Sequence, residues 1–395
     1  MRRSTTPYWN STMHRVLLLG AGKIGRMIAR FLMDSGDYEV VVGDNRDAAL
    51  KRIAKLTGAA TTRVDAGRAG DLTKAVDGVD SVISALSFRH NQAVAQAALA
   101  AGASYFDLTE DVATSRAVAA IAPQAADGQI LMPQCGLAPG FISIVANHLT
   151  KSFDELDSVR MRVGALPQFP TGELKYNLTW STDGLINEYC NPCDAIHEGR
   201  RIEVLPLEGL EHFSLDGVRY EAFNTSGGLG TLCDTLVGKV RELNYKTVRY
   251  MGHRDPMKLL VDELRLGEQR DQLKEILERA VPITFQDVVV TFATVTGWRK
   301  GALVQISDAR KIYHQTIGEE AWSAIQITTA AGVCAVVDLH VAGRLPTRGL
   351  VRQEQVDFDE FLVNRFGKYY ASQGSTRFSK VIGDEESDTT GAADA

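Results

Sequence analysis

Val16-Leu17-Leu18-Leu19-Gly20-Ala21-Gly22-Lys23-Ile24-Gly25 joins an unbroken apolar run directly to a G-x-G-x-x-G element. A continuous apolar run without alternation is what a strand buried on both faces of a parallel sheet requires. The stretch that follows, Lys23 to Ser35, is amphipathic with a helical period and stops at Gly36. Strand, glycine turn and helix in that order form the context in which this otherwise common motif binds a dinucleotide. Gly20 permits the tight turn, Gly22 lets the backbone approach a pyrophosphate, and Gly25 lets helix and strand pack closely. Gly20, Ala21, Gly22, Lys23, Ile24 and Gly25 are therefore expected at the cofactor's phosphates, over the partly positive helix N-terminus.

Downstream, the same rhythm repeats. Strands are expected at Glu39 to Val42, Thr61 to Val64, Ser81 to Leu86, Ser104 to Leu108 and Ile130 to Met132. Helices are expected at Ala48 to Thr57, Leu72 to Val76 and Asn91 to Ala101. This alternation predicts an α/β fold, a Rossmann doubly wound parallel sheet with helices on both faces. Asp44, closing the second strand, stands where an acid takes the adenosine ribose hydroxyls and repels a 2′-phosphate. NAD is thus the expected cofactor, with NADP kept open by Arg46, two residues on. A carboxylate that merely caps the next loop is the plainer alternative. Asn45 belongs to the same group of expected cofactor contacts. Ligands of such sheets bind at the carboxyl ends of strands, which adds Asp65 and Ala66 near the adenine, and Ser84, Ala85 and Leu86 near the ribose or nicotinamide.

After Gly140 the pattern changes to longer, alternating runs punctuated by Gly, Pro and Asn. Ser158 to Gly164, Leu174 to Thr179, Ala222 to Asn224, Tyr245 to Tyr250 and Val288 to Gly297 read as strands of a mixed sheet, with Leu303 to Tyr313 as a further one. Ala321 to Ala342 reads as one long apolar helix ending at Gly343. The division expected is a cofactor domain over 13–138, an inserted α+β substrate and dimerisation domain over 139–320, a helical segment over 321–382 returning to the first domain, and an acidic, disordered tail over 383–395. Met1 to Thr12 read as an unstructured extension, and Met13 as an alternative start.

A net charge of −6 argues against nucleic acid or an anionic membrane surface as partner. No apolar run approaches the roughly 20 residues of a membrane span. Five scattered cysteines fit reduced thiols in a cytoplasm. Cys190-Asn191-Pro192-Cys193 lacks a second ligand pair at zinc spacing, so no metal site is expected. Hydrolase and kinase motifs are absent.

The second half carries a family resemblance. Gly136-Leu137-Ala138-Pro139-Gly140-Phe141, Tyr176-Asn177 ahead of Trp180-Ser181, and Asn224-Thr225-Ser226-Gly227-Gly228, taken with the glycine motif, resemble the saccharopine dehydrogenase-like family. The Thr-Ser-Gly-Gly element, Tyr245 to His253 and Lys258 to Asp262 resemble the lysine 6-dehydrogenases within it. The resemblance spans about Arg15 to Val356. It implies oxidation at a carbon–nitrogen bond of a lysine-type amino acid, with hydride passing to the nicotinamide. Where glutamate-forming saccharopine dehydrogenases carry an Asn-Arg-Asp-Ser-type element, this chain has Asn224-Thr225-Ser226-Gly227, without the arginine. That departure favours free L-lysine, oxidised at its 6-position, over saccharopine.

Three residues are candidates for the chemistry: His253 as base, because imidazole titrates near neutrality; Arg249 for the substrate carboxylate; and Tyr176. Asn177, Ser181, Asn224, Thr225 and Ser226 are candidates for substrate contacts. Glu110 and Asp111 stand where an acid meets the substrate amine, though solvated helix-cap acids are the expected reading. A homodimer or larger homo-oligomer is expected. The competing class is a catalytically silent NAD(H)-sensing or scaffold protein that keeps only the cofactor fold.

Overall fold

The computed structural model describes residues 13–371 and the strand at 376–381. The expected tail over 383–395 and the segment Met1 to Thr12 lie outside the described residues.

The first half is built in order from β1 (His14–Leu19), α1 (Lys23–Ser35), β2 (Tyr38–Asp44), α2 (Asp47–Thr57), β3 (Ala60–Arg63), α3 (Ala69–Ala75) and β4 (Ser81–Ser84). It continues with α4 (Asn91–Ala101), β5 (Ser104–Asp107), α5 (Val112–Ile121) and β6 (Ile130–Met132). All these strands pair in parallel, in the order β3-β2-β1-β4-β5-β6. This is the doubly wound Rossmann arrangement, whose strand order reverses beside β1 and so opens a crevice at the strands' carboxyl ends. Val16 to Leu19 are all buried, as a strand covered on both faces must be.

α6 (Phe141–Thr150) then leads into β7 (Glu155–Pro167), α7 (Thr182–Cys190), β8 (Cys193–His197), β9 (Arg200–Val204), β10 (Glu211–Leu215) and β11 (Val218–Asn224). Next come α8 (Leu232–Leu236), β12 (Glu242–Tyr250), α9 (Arg254–Lys258), α10 (Arg270–Ala280), β13 (Asp287–Arg299) and β14 (Ala302–Tyr313). The second sheet runs β10-β11-β12-β7-β13-β14, with the 376–381 strand on β14 and the β8–β9 hairpin beside β12. It is mixed: β12 and β7 are parallel, and β7, β13 and β14 antiparallel.

β15 (Gln315–Ile317) and β16 (Glu320–Trp322) form a small hairpin ahead of α11 (Ala324–Val341). The expected helix thus starts later than Ala321, because Ser323 caps it through a capping box with Gln326. α11 packs on α1 and on β13, between the two sheets. By length and composition it would suffice to cross a membrane, at a mean hydropathy of 1.5, but 78% of it is buried inside the protein. A helix pressed from both sides has no polar face to show. β17 (Gly349–Leu350) adds to the first sheet beside β6, and α12 (Phe358–Val363) covers α6.

Leu174 to Thr179 is not a strand. Lys175 adopts a left-handed conformation with φ 46°, which breaks any ladder. The apolar residues that suggested alternation, Tyr176 and Leu178, instead anchor an irregular segment in a small core with Leu185 and Met257.

Candidate active site

At the end of β1, Gly20 turns with φ 106° and donates its N–H to the Gly43 carbonyl. A Cβ on Gly25 would lie 1.8 Å from the Gly20 oxygen, and one on Gly20 would lie 2.6 Å from the Ala85 oxygen. Gly25 therefore serves packing of the helix on its own loop, and Gly20 packing of that loop on the end of β4. At Gly22, by contrast, a Cβ would meet nothing within 4 Å, and no side chain caps the α1 N-terminus. That uncapped N-terminus facing open space is what a pyrophosphate needs.

Asp44 is buried at the end of β2. Its Oδ2 accepts from the Ala21 N–H at 2.8 Å, and its Oδ1 accepts from the Arg46 N–H at 2.9 Å and Nε at 3.1 Å. Burial pushes the carboxyl up, but these bonds outweigh it and hold Asp44 below its usual range. Asp44, Asn45, Asp65, Ala66 and Leu86 line one cleft beside the motif. Ile24, Ala85 and Leu86 line a second, deeper cavity, and Leu86 and Ser87 are common to both. These two adjoining spaces run from Asp44 to Ala85 along the carboxyl ends of the strands, where ligands of such sheets bind. Ser84 does not join them: it is buried, and its Oγ donates to Asn91 at 2.7 Å, tying β4 to α4.

The deeper cavity, of about 1050 Å3 including its mouth, opens between the two sheets. Its floor is the middle of the second sheet, where Tyr245, Thr247 and Arg249 of β12 alternate inward beside Val163 and Ala165 of β7. Ala85 to Phe88 and Leu108 to Glu110, from the strand ends of the first sheet, form the opposite wall. Trp180, Ser181 and Glu188 close one side from α7 and its approach. Ser181 is at this rim, but its Oγ caps α7 by accepting from the Gly184 N–H.

Arg249 is buried and reaches the cavity. Its Nε donates to the Tyr189 hydroxyl at 2.9 Å and its Nη1 to the Val248 carbonyl at 2.9 Å. Tyr176 stacks on the guanidinium at 4.8 Å. Burial opposes the charge, and the surrounding Tyr189, Tyr176 and Glu188 more than restore it.

His253 cannot be the base. It is 1% exposed and lies behind Arg249, its Nδ1 bonded to the Leu174 carbonyl at 2.7 Å and its Nε2 to the Tyr189 hydroxyl at 2.9 Å. Burial, and next the Arg249 charge, push it down to about 3. It is a neutral prop for Tyr189. Tyr176 is likewise a wall behind the cavity, its hydroxyl accepting from Trp180 Nε1 at 3.1 Å. Asn177 binds the Pro282 carbonyl and Asn224 the Leu205 carbonyl, both away from the cavity.

Thr225 and Ser226 also stand one layer back, and their loop has another task. The Ser226 N–H donates to the Glu188 carbonyl at 3.0 Å. Gly227, with φ 86°, comes so close to Glu110 that a Cβ would lie 2.2 Å from its carbonyl oxygen, and one on Gly228 would lie 2.3 Å from the Tyr245 ring. The Thr-Ser-Gly-Gly element braces Glu110, Glu188 and Tyr245 rather than a ligand.

Of those two acids, sequence reasoning missed Glu188 and favoured a solvated helix cap for Glu110 over a place at the substrate amine. Asp111 is indeed a helix cap, accepting from the Thr114 N–H, but Glu110 turns into the cavity. Burial pushes Glu110 up to about 7, helped by Asp111 and Asp107, and pushes Glu188 up to about 8, against the pull of Arg249. The available signal for Glu188 was its place on α7: Ser181, Gly184 and Glu188 recur at helical spacing behind Trp180.

Two family models match the chain. The one described as saccharopine dehydrogenase NADP binding domain covers residues 16–132, and the one described as saccharopine dehydrogenase C-terminal domain covers residues 136–371. Among solved structures, the apo saccharopine dehydrogenase (L-Glu forming) from Saccharomyces cerevisiae is similar at 17% identity and a TM-score of 0.76, over 93% of this chain and 100% of that one. That likeness is one of fold. The myo-inositol 2-dehydrogenase from Lactobacillus plantarum aligns at 11% identity and a TM-score of 0.41, over 91% of this chain and 94% of that one.

Proposed function

The chain belongs to the saccharopine dehydrogenase family of NAD(P)-dependent oxidoreductases, and within it we propose that it oxidises L-lysine at the 6-position to the semialdehyde, which cyclises to a piperideine. The observation that carries this reading is the charge set of the cavity. Among its described lining residues there is one cation, Arg249, and two acids, Glu110 and Glu188. Lysine brings one carboxylate and two amines, the complement of that set. Saccharopine brings three carboxylates, two of which would enter a low-dielectric space without a partner, at a cost of several kcal/mol each.

Arg249 takes the carboxylate. Glu110, beside the carboxyl end of β5 and so nearest the cofactor wall, accepts the proton of the 6-ammonium. Held near 7, it is ionised at slightly alkaline pH yet still basic enough for the transfer. Ala85 and Leu86 would hold the nicotinamide, which when bound would supply the hydride acceptor. Leu86, Leu108, Trp180 and Ile325 keep water from the carbon losing hydride. Water entering afterwards hydrolyses the imine and releases ammonia. For the cofactor we propose NAD over NADP, on the strength of the Asp44 carboxylate at the ribose end. Five free cysteines fit a reducing cytoplasm.

The test is NADH formation followed at 340 nm with L-lysine and with L-saccharopine as separate substrates. Turnover of lysine alone is expected; turnover of saccharopine with none of lysine would overturn the assignment.

A further inference from the structure

Within the cavity, Glu188 is 7% exposed and its carboxylate accepts no hydrogen bond from any described residue. Arg249 is in a similar position: with Nε and Nη1 engaged, its Nη2 has no protein partner among the described residues. The two groups share a cavity and feel each other's charge, yet they form no ion pair. Elsewhere in the same sheet, buried Arg162 pairs directly with Glu211. A buried carboxyl and a buried guanidinium that line one cavity without pairing mark a gap that a ligand bridges.

The spacing says more. Glu110 Oε1 lies 3.0 Å from where a Cβ on Gly184 would be, so Glu110 faces the Gly184 turn of α7. Glu188 is four residues further along the same helix, a rise of about 6 Å. That separation is comparable with the reach of an extended four-methylene arm.

We propose that Glu188 and Arg249 form a two-point clamp for an α-amino-acid head group, the α-ammonium on the Glu188 carboxylate and the α-carboxylate on Arg249 Nη2. The clamp rests on the reading of a lysine-type substrate. It sets the head group one helical turn from Glu110 and thereby measures the length of the arm that reaches the proton acceptor. Six groups face Glu188: Arg249 and Tyr245 of β12, Glu110 after β5, Tyr189 on its own helix, and Tyr176 and Cys193 from the flanking segments. Arg249 is the only cation in this set, and burial holds Glu188 up at about 8. An ammonium ligand must therefore draw the proton off Glu188, and its affinity rises with pH towards 8.

The test compares L-lysine with 6-aminohexanoate, which lacks only the α-amine. Binding of each is measured by calorimetry to the cofactor-free protein, and turnover by NADH formation. Wild type should prefer lysine by about a hundredfold in both. Glu188→Gln should narrow that preference at least tenfold, acting on KM with kcat within a few-fold, and flatten the pH dependence of lysine binding between pH 6.5 and 8.5. Glu188→Asp should recover part of the preference. An unchanged preference in Glu188→Gln overturns the clamp, as does a collapse of kcat at constant KM, which would make Glu188 the proton acceptor. If lysine binds with this preference but is not oxidised, the clamp stands and the proposed reaction fails. If lysine neither binds nor reacts, both fail.

Discussion

At the end of β2 the Asp44 carboxylate holds the glycine loop through the Ala21 amide and the Arg46 side chain through an ion pair. A 2′-phosphate there would meet a negative charge before it could recruit Arg46, so NAD should exceed NADP at least roughly tenfold in kcat/KM, about 1.4 kcal/mol. Asp44→Ser should erode or reverse that ratio, because Arg46 is then free for the phosphate; an unchanged ratio would remove Asp44 from cofactor choice. His253 shows the opposite case, a residue whose intrinsic chemistry misleads. Its imidazole, pushed to about 3, is neutral throughout the working range. We expect kcat to rise with pH through about 7 as Glu110 ionises, and His253→Asn to leave that midpoint in place while raising KM through a loosened Tyr189. Glu110→Gln should abolish the limb. A midpoint that moved with His253 instead would restore the histidine as base. The contrast explains what was legible: Asp44 and the glycines act within a few residues of one strand end, whereas Glu110 is enclosed by Gly227, more than a hundred positions away, and no local pattern announces that.

Among elements, the parallel strands were readable because burial on both faces leaves an apolar run that nothing else imitates. β12 was readable by alternation, and with it the inward place of Arg249. Leu174 to Thr179 was misread because its apolar residues alternate for a different reason, each anchoring an irregular segment between α7 and α9. α7 itself went unread: a helix of nine residues carrying Gly184, Asn187 and Glu188 on buried positions has no clean amphipathic stripe. Gly184 has a specific cause. A Cβ there would lie 2.4 Å from the Trp180 ring and 3.0 Å from Glu110 Oε1. Gly184→Ala should therefore displace both from the cavity and lower kcat/KM for lysine at least tenfold, although alanine is the better helix former by about 1 kcal/mol. A variant that melts higher with undiminished activity would show that α7 does not set the cavity's width.

At the scale of the molecule, both sheets were foreseeable from the change of rhythm near Gly140, but the way they enclose one cavity was not. That depends on α11, which packs on β13 and β14 with one side and on α1 and β5 with the other, while α6 backs the second sheet at β7 and β13. The second sheet leaves its other face thinly covered: Phe292, Thr294 and Thr296 of β13 are half-buried there, and Phe169 and Ile283 at its end are 65% and 58% exposed. A symmetric homodimer or larger oligomer that buries this surface is expected. Light scattering at micromolar concentration should give at least twice the 43.1 kDa of one chain, and a monomeric mass would contradict it.

In the proposed reaction the cavity presents carbon 6 of lysine, and not its α-carbon or a saccharopine linkage, to the nicotinamide. L-lysine deuterated at carbon 6 tests it most directly, with the reduced cofactor isolated and its deuterium measured. One deuterium in each NADH formed is the expected result, with slower turnover than for unlabelled lysine where hydride transfer limits the rate. NADH free of deuterium, or labelled only when deuterium is placed at carbon 2, would contradict it.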